Sequence, residues 1–312
     1  MICDYEGSDY KSRFWQNADR VYEDAAERVA LRRLLPAAGG RVIEFGAGFG
    51  RLADLYAGYD EVILLDYSRS LLEQAMERWG GDPRFKFVAA NVYHLPFADG
   101  VMNAATMIRV IHHIANVPAA LPEIRRVMAP GGVFVLEFAN KRNLKSVARY
   151  ALRRQAWNPF DSQPIEFAKL NFDFHPAWML DHLRQADFTP HQKLTVSYLR
   201  LGFVKRAVPV QWMVVVDAVL QRAAMLGLWS PSVFVENKLR TADPSARTGQ
   251  AGRLATDGGF SSFDAILRSP RSGGVLRREN RGDGDWLVCD ADGTRWRVRV
   301  NFYDFKEEVS SP

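Results

Sequence analysis

The sequence has too few cysteines for a disulfide framework or a thiolate metal site. Its 312 residues include only Cys3 and Cys289. A disulfide-stabilised fold or a four-cysteine zinc centre needs at least four such residues. We therefore expect a protein without disulfides and without a metal centre.

Long apolar runs are also missing. The N-terminus is acidic and lacks the hydrophobic segment of a signal peptide. The most apolar stretch, 208–229, is interrupted by polar and charged side chains, whereas a membrane-spanning helix needs about 20 mostly apolar residues. We expect no transmembrane segment and a soluble, cytoplasmic protein, with this stretch forming a buried cover over the acceptor side. A lipid-like substrate is the alternative that the apolar stretch leaves open.

The excess of positive charge is small. Lysine and arginine total 41 against 36 acidic residues, which gives a net charge of +5. Such a balance permits an anionic partner without requiring one, because nucleic-acid-binding domains usually concentrate basic residues on one face. With 47% hydrophobic and 25% charged residues, the composition is that of a folded globular protein.

Short apolar strands alternate with helical segments through residues 41–140. This alternation is typical of a doubly wound α/β core with a mostly parallel sheet. Helices are predicted over 18–35, from the first glycine-rich turn through Leu55, and over 68–79. Apolar residues at 194–196 and 233–235 predict two late strands, which often pair antiparallel at a sheet edge. The predicted strands of the core are 41–45, 62–65, 85–88, 104–108 and 133–137.

The composition changes after this core. Residues 1–240 are expected to form one α/β domain, in which 141–230 supply insertions on the acceptor side. The small and polar residues of 241–259 are typical of a linker. Glycine turns between Trp- and Arg-rich strands then predict a small β domain over 260–312.

The most specific local pattern runs from Glu44 to Gly50, directly after the first strand. Its third glycine comes two residues after the second, whereas the dinucleotide-binding fingerprint requires three. Asp66 ends the next strand, where a carboxylate can accept hydrogen bonds from ribose hydroxyls. Asn91 follows the third strand and could pair with the edge of an adenine. These residues at successive strand ends predict a nucleoside-binding site.

In these segments the chain resembles the class I S-adenosylmethionine-dependent methyltransferases. The segments that carry the resemblance are 42–52, 64–68, 90–97, 108–114 and 126–132. The resemblance implies a seven-stranded, Rossmann-like sheet and a loop, Gly46–Gly50, that holds the methionine part of S-adenosylmethionine. It implies that Asp66 binds the ribose and that Asn91 and Val92 lie beside the adenine. The expected cofactor-binding residues are Glu44, Gly46, Ala47, Gly48, Gly50, Asp66, Tyr67, Asn91, Val92 and Arg109.

The resemblance implies direct, in-line methyl transfer to a small-molecule acceptor. Alignment of the acceptor supplies most of the acceleration in such a reaction, and no protein nucleophile is needed. Two alternatives stay open: an enzyme that methylates tRNA or another RNA, and a catalytically silent module that only binds S-adenosylmethionine. Copurified RNA would favour the first, and a lack of product the second.

A general base is needed only if the acceptor must lose a proton. His112 and His113, which follow the fourth strand, and His175, in an aromatic segment, are the candidates. Packing and helix-capping roles are the alternatives, and Asp173 is the expected cap beside His175. Tyr10, Phe14 and Trp15 could form a lid over the cofactor or dock as a surface helix.

Two further patterns bear on partners. Basic residues recur every fourth position along a predicted helix over 143–154, and a solvated helix face is the simplest interpretation. They are Lys141, Lys145, Arg149, Arg153 and Arg154. A phosphate-binding face for RNA and a membrane-surface helix are the alternatives.

The C-terminal segment, over about 263–305, resembles the small zinc-ribbon proteins that activate methyltransferases. The family pattern places cysteines near Ser269, Ser272 and Asp292, and only Cys289 remains. We expect a metal-free remnant that docks in cis on its own methyltransferase domain.

Overall fold

The computed structural model describes residues 6–7, 20–239, 262–282 and 284–306. The expected lid residues Tyr10, Phe14 and Trp15 lie outside the described residues. The expected linker, 241–259, also lies outside them.

Five parallel strands form the centre of the sheet, as the sequence predicts. They lie side by side in the order β3-β2-β1-β4-β5, and β1 pairs in parallel with both β2 and β4. Because parallel strands share one direction, their carboxyl ends meet at a single edge. The strands are β1 (Gly39–Phe45), β2 (Tyr59–Asp66), β3 (Phe85–Ala89), β4 (Met102–Met107) and β5 (Met128–Ala139).

Helices connect and cover these strands. The helix predicted after the first glycine-rich loop is reduced to a 3₁₀ turn over Ala53–Tyr56. Only seven residues separate Gly50 from Gly58, and such short connectors commonly adopt the tighter 3₁₀ form. The α-helices are α1 (Val21–Leu34), α2 (Arg69–Trp79), α3 (Val117–Val127), α4 (Leu144–Ala151), α5 (Pro176–Gln185), α6 (Gly202–Ala207) and α7 (Val210–Leu220).

Helix α7 is not the buried cover that the apolar stretch predicted. Met213 and Asp217 are buried against the rest of the protein, and the helix packs on α1. Trp212 and Val219, however, are 63% and 70% exposed. Apolar residues lie on both faces of the helix, and those on the face away from α1 are exposed to solvent. Among the described residues, no helix has both the length and the hydropathy needed to cross a membrane.

The two predicted late strands are present and antiparallel. Strand β9 (Ser232–Lys238) pairs with β5, and β8 (Thr189–Val196) pairs with β9. Before them, β6 (Ile165–Ala168) and β7 (Asn171–Asp173) form a separate hairpin. These two late strands bring the main sheet to the seven strands that the sequence predicted.

The sheet does not end there, because the C-terminal segment adds four strands to it. Strand β13 pairs in parallel with β3, so the sheet has eleven strands rather than seven. The C-terminal β region thus continues the main sheet. A paired neighbour satisfies the backbone groups that an edge strand would otherwise expose. The added strands are β10 (Leu276–Arg281), β11 (Gly284–Cys289), β12 (Arg295–Arg299) and β13 (Phe302–Asp304).

Two turns of this C-terminal region meet through hydrogen bonds. The hydroxyls of Ser269 and Ser272 both donate to Asp292 Oδ2, at 2.6 and 2.5 Å. Thr294 Oγ1 donates to Asp292 Oδ1 at 2.6 Å, and Cys289 Sγ lies 3.8 Å from Ser272 Oγ. The hydroxyl donors outweigh desolvation, which would raise the pKa of Asp292, and hold it well below its usual range.

Four of the five basic residues around α4 are exposed to solvent, and Lys141 is the exception. Lys141 is 3% exposed, and its Nζ donates to the backbone carbonyls of Asp161 and Gln163. Arg149 and Arg153 are exposed, as the simplest interpretation predicted. Lys141 was wrongly included because it precedes the helix, which begins only at Leu144.

We predict that Phe302→Ala destabilises the whole protein by about 3–5 kcal/mol, since truncating a buried aromatic side chain leaves a cavity. Phe302 is 2% exposed, and it packs in the same core cluster as residues of β2 and β3. Denaturant unfolding measures the loss. Val275→Ala is the control: Val275 is 66% exposed, so its truncation should change stability by less than about 0.5 kcal/mol. Equal stability of the two variants would show that β13 is not part of the cooperative core.

Candidate functional site

A cavity lies at the carboxyl edge of the sheet, between the ends of β1, β2 and β4. We call it the first cavity. It brings together most of the residues that the sequence singled out. Those on its wall are Gly46, Gly48, Asp66, Tyr67, Val92, Arg109 and His113.

The other expected cofactor-binding residues lie outside the described lining of the first cavity. Ala47 is buried within the loop. The carbonyl of Gly50 accepts a hydrogen bond from Trp79 Nε1 at 3.1 Å. Asn91 Oδ1 accepts the N–H of Tyr93 at 3.0 Å, which forms a local turn.

Glu44 lies near the end of β1, just before the loop. It is 4% exposed, and burial, partly offset by Arg51 and a hydrogen bond from Tyr56, raises its pKa to about 8. Burial therefore favours the uncharged form of this carboxyl group.

The glycine-rich loop is fixed to the end of β2. Gly46 has φ +70°, and a Cβ there would lie 2.2 Å from Val110 Cγ2, so only glycine fits. The N–H of Gly46 donates to the carbonyl of Leu65 at 2.7 Å. The N–H of Gly48 donates to Asp66 Oδ2 at 2.7 Å, and that of Ser68 donates to Oδ1 at 2.8 Å. Each carboxylate oxygen can accept a further hydrogen bond, so Asp66 is oriented and still able to bind a ligand.

A buried carboxylate on α1 joins two walls of the cavity. Glu27 is fully buried. Its Oε2 accepts from Arg51 Nη2 at 2.9 Å, and its Oε1 accepts from Arg109 Nε at 2.6 Å. Burial would raise the pKa of Glu27, but the charges of Arg109 and Arg51 outweigh it and lower the pKa. Glu27 is therefore ionised, and it ties the glycine-rich loop to the end of β4.

Arg109 has an unusual backbone conformation. Its φ is +61°, in the left-handed region that costs a non-glycine residue of order 1–3 kcal/mol. Its N–H donates to Glu137 Oε2 at 2.8 Å, and its side chain binds Glu27. The two carboxylates hold the backbone and the side chain in place, and such imposed strain is common at functional sites.

A second cavity of about 300 Å³ adjoins the first. Arg109 and His113 line both cavities, so they form the shared rim. The rest of the second wall comes from β5, the β6–β7 hairpin and the loop after β8. Its charged and titratable residues are Arg20, Arg109, His112, His113, Glu137, Asp173 and Arg200.

The histidines differ in their surroundings. His113 Nδ1 lies 2.9 Å from the carbonyl oxygen of Leu170; because a carbonyl can only accept, Nδ1 carries the hydrogen and Nε2 the basic lone pair. Burial lowers the pKa of His113 and of His112, whose ring centre lies 4.0 Å from that of His113. Both rings are therefore neutral at pH 7 and able to accept a proton.

His175 and Asp173 have roles different from those expected. His175 lies outside the described linings of both cavities and caps α5, with Nδ1 accepting the N–H of Ala177 at 3.2 Å. Asp173, the expected cap, instead lines the second cavity. Burial raises the pKa of Asp173 to about 6.

Sequence reasoning missed three residues of the site: Glu27, Glu137 and Arg200. A signal existed for Glu27, because it is next to Ala26 and three residues before Ala30, which places it on the buried side of α1. Glu137 ends a predicted strand, where polar residues commonly face a ligand. Arg200 follows β8 in a loop, and no local pattern marks it.

Comparison with known proteins identifies residues 43–136 as a match to a family described as "Methyltransferase domain". A relative from Clavibacter sepedonicus, named demethylmenaquinone methyltransferase, is 35% identical over 122 residues, which cover 38% of this chain and 50% of the relative. The chain thus spans about half the length of the curated relatives it matches.

Solved structures resemble the chain in fold. The structure of an S-adenosylmethionine-dependent methyltransferase from Listeria monocytogenes matches this chain with a TM-score of 0.51 at 13% identity. The match covers 70% of this chain and 99% of the Listeria chain. A chain in the complex between the Haloferax volcanii Trm112 methyltransferase activator and a methyltransferase has a TM-score of 0.50 at 18% identity, covering 74% and 92%. At these identities the likeness concerns the fold alone.

We predict that Glu27→Gln destabilises the protein by about 3–5 kcal/mol, because it removes the fully buried charge that pairs with both Arg51 and Arg109. Arg51 keeps its second carboxylate, Asp24. Denaturant unfolding at neutral pH measures the effect. Asp181→Asn is the matched control: Asp181 pairs with Arg184 at 2.7 Å, but both side chains are more than half exposed, so the loss should be below about 1 kcal/mol. Similar losses in both variants would contradict the central role given to Glu27.

Proposed function

We propose that the chain is an S-adenosylmethionine-dependent methyltransferase that acts on a small-molecule acceptor. The observation that carries the proposal is the pair of adjoining cavities at the carboxyl edge of the sheet. The first would hold the cofactor and the second the acceptor, with Arg109 and His113 between them. Methyl transfer requires the two reactants to meet in line at such a boundary.

The residues of the first cavity fit the cofactor. Asp66 offers an oriented carboxylate to the ribose hydroxyls, and Gly46 and Gly48 leave the space beside it free of side chains. Tyr67 and Val92 give the apolar surface that an adenine ring needs. Lys306, from the C-terminal segment, places its Nζ 4.1 Å from the centre of the Tyr67 ring and so supports that wall.

Bound there, the cofactor would supply a methyl group already activated on a sulfonium. The protein's part is to align the acceptor, exclude water and take up a proton where the acceptor is a hydroxyl or an amine. His113 is suited to the last step, because Leu170 holds its Nδ1–H and directs the basic character to Nε2. The proton released as the new bond forms would move to Nε2.

The size of the second cavity favours a small acceptor, since about 300 Å³ lies at the low end of small-molecule sites. The Clavibacter relative is likewise named for a small-molecule acceptor, demethylmenaquinone. Four of the eleven described lining residues come from 141–230, the region proposed to supply insertions on the acceptor side: Phe167, Asn171, Asp173 and Arg200.

The C-terminal segment is proposed to be a metal-free counterpart of a zinc ribbon that docks in cis. Ser269, Ser272, Cys289 and Asp292 occupy the four positions of paired C-x₂-C turns. Hydrogen bonds to the Asp292 carboxylate would join the two turns in place of a metal. Contact with Tyr67 and pairing with β3 would let the segment stabilise the cofactor site.

Asp66→Ala is predicted to weaken S-adenosylhomocysteine binding at least about tenfold, because charge-assisted hydrogen bonds to the ribose are lost. Gly48→Val should weaken it as well, since valine is strained at φ +54°. Titration calorimetry measures both dissociation constants.

Asp60→Ala is the matched control, since Asp60 lies on the same strand at the opposite edge and is exposed. It should bind S-adenosylhomocysteine like the wild type. Wild-type affinity in Asp66→Ala would place the cofactor elsewhere. Binding without any S-adenosylhomocysteine formed from S-adenosylmethionine in a cell extract would favour the silent module.

A further inference from the structure

The second cavity contains the guanidinium of Arg200, two nitrogen atoms of which lack a described hydrogen-bond partner. The charges of Glu27, Glu137 and Glu23 favour the charged form of Arg200, but burial and the charge of Arg109 outweigh them and lower its pKa. Nε and Nη2 of Arg200 are buried and have no hydrogen-bond partner among the described residues. Burying a guanidinium whose N–H groups lack hydrogen-bond acceptors is costly. This cost points to a ligand that supplies the missing acceptors.

Two other charged groups of this wall, Arg109 and Glu137, have described partners. Arg109 is bound to Glu27, and Glu137 accepts hydrogen bonds from the N–H of Arg109 and the hydroxyl of Ser232. Asp173 is close enough for Arg200 to lower its pKa, yet burial prevails and the pKa is raised to about 6. No ion pair within 4 Å joins Arg200 to a carboxylate in the described part of the chain.

The position of Arg200 is fixed by the loop that carries it. The N–H of Tyr198 donates to Asp217 Oδ1 at 3.0 Å, and the N–H of Leu199 donates to the Tyr22 hydroxyl at 3.0 Å. That hydroxyl in turn donates to Asp217 Oδ1 at 2.8 Å. The side chains of Tyr22 and Asp217 are buried. The loop is therefore anchored on α1 and α7, and the guanidinium is held in place before any ligand arrives.

We propose that Arg200 forms an anion subsite of the second cavity, and that the acceptor carries a carboxylate or phosphate group. A guanidinium presents parallel N–H donors that match the two oxygens of such a group. The anion would bind Nε and Nη2, and the rest of the acceptor would extend toward the rim formed by Arg109 and His113. This inference rests on the proposed function, because it takes the second cavity as the acceptor site.

The test uses benzoate and inorganic phosphate as probes, with benzamide as the neutral analogue of benzoate. Calorimetry on the full-length protein, with and without S-adenosylhomocysteine, should show that the wild type binds at least one anion and prefers benzoate to benzamide. Arg200→Met should weaken anion binding about tenfold to a hundredfold, the value of hydrogen bonds to a charged group. Arg200→Lys keeps the charge without the two parallel donors, and its affinity should be intermediate.

Arg206→Met is the matched control, because Arg206 is exposed on α6 near the same loop; anion binding should be unchanged. Without ligand, Arg200→Met should unfold at a temperature no lower than the wild type, since it removes a buried guanidinium whose Nε and Nη2 lack hydrogen-bond acceptors among the described residues. A purely structural Arg200 would instead lower that temperature.

Three results would overturn the inference: no binding of either anion by the wild type, equal binding by Arg200→Met, or an equal loss in Arg206→Met. Failure of S-adenosylhomocysteine to bind would overturn the proposed function instead, because Arg200 lies outside the described lining of the first cavity.

Discussion

The site depends on one buried carboxylate, Glu27, and the two arginines that it holds. Arg51 belongs to the glycine-rich loop, and Arg109 follows the next strand of the sheet. These two segments form opposite walls of the first cavity, and nothing in the parallel sheet itself fixes the distance between their side chains. The charge of Glu27, which lies where three elements meet, fixes this distance. Removing Glu27 or either arginine would leave the charge of a partner buried.

The same interaction connects the two cavities. Arg109 lies on the rim of both, in a strained backbone conformation, and its hydrogen bonds to Glu137 and Glu27 help to hold it there. Because Arg109 lines both cavities, a displacement of its side chain by a ligand in one cavity would change the wall of the other.

Much of the fold could be predicted from the sequence, because its strands, helices and turns each produce a local residue pattern. Strand and helix periods identify the five parallel strands, and the glycine-rich loop and Asp66 fall at the expected edge. Pairing between distant segments has no such local signal, and for that reason the union of β13 with β3 was missed. The apolar α7 was predicted to be buried because hydropathy alone does not tell which side of a helix meets solvent.

Predictions of single site residues were less complete for a related reason. A residue such as Asp66 is marked by its place at a strand end. Arg200, in contrast, lies in a loop 134 positions after Asp66 in the sequence. Its importance depends on what surrounds it in space, namely the absence of a described carboxylate partner. Histidines drew attention by residue type alone, and that criterion did not separate His113, on the shared rim, from His175, which caps a helix.

The central claim is that two ligands meet at the rim between the cavities, and a crystal structure of the S-adenosylhomocysteine complex tests it most directly. The account predicts ribose hydroxyls on Asp66, the adenine beside Tyr67 and Val92, and the sulfur atom directed past Arg109 toward the second cavity. A cofactor bound elsewhere, or one whose sulfur faces away from that cavity, would contradict it.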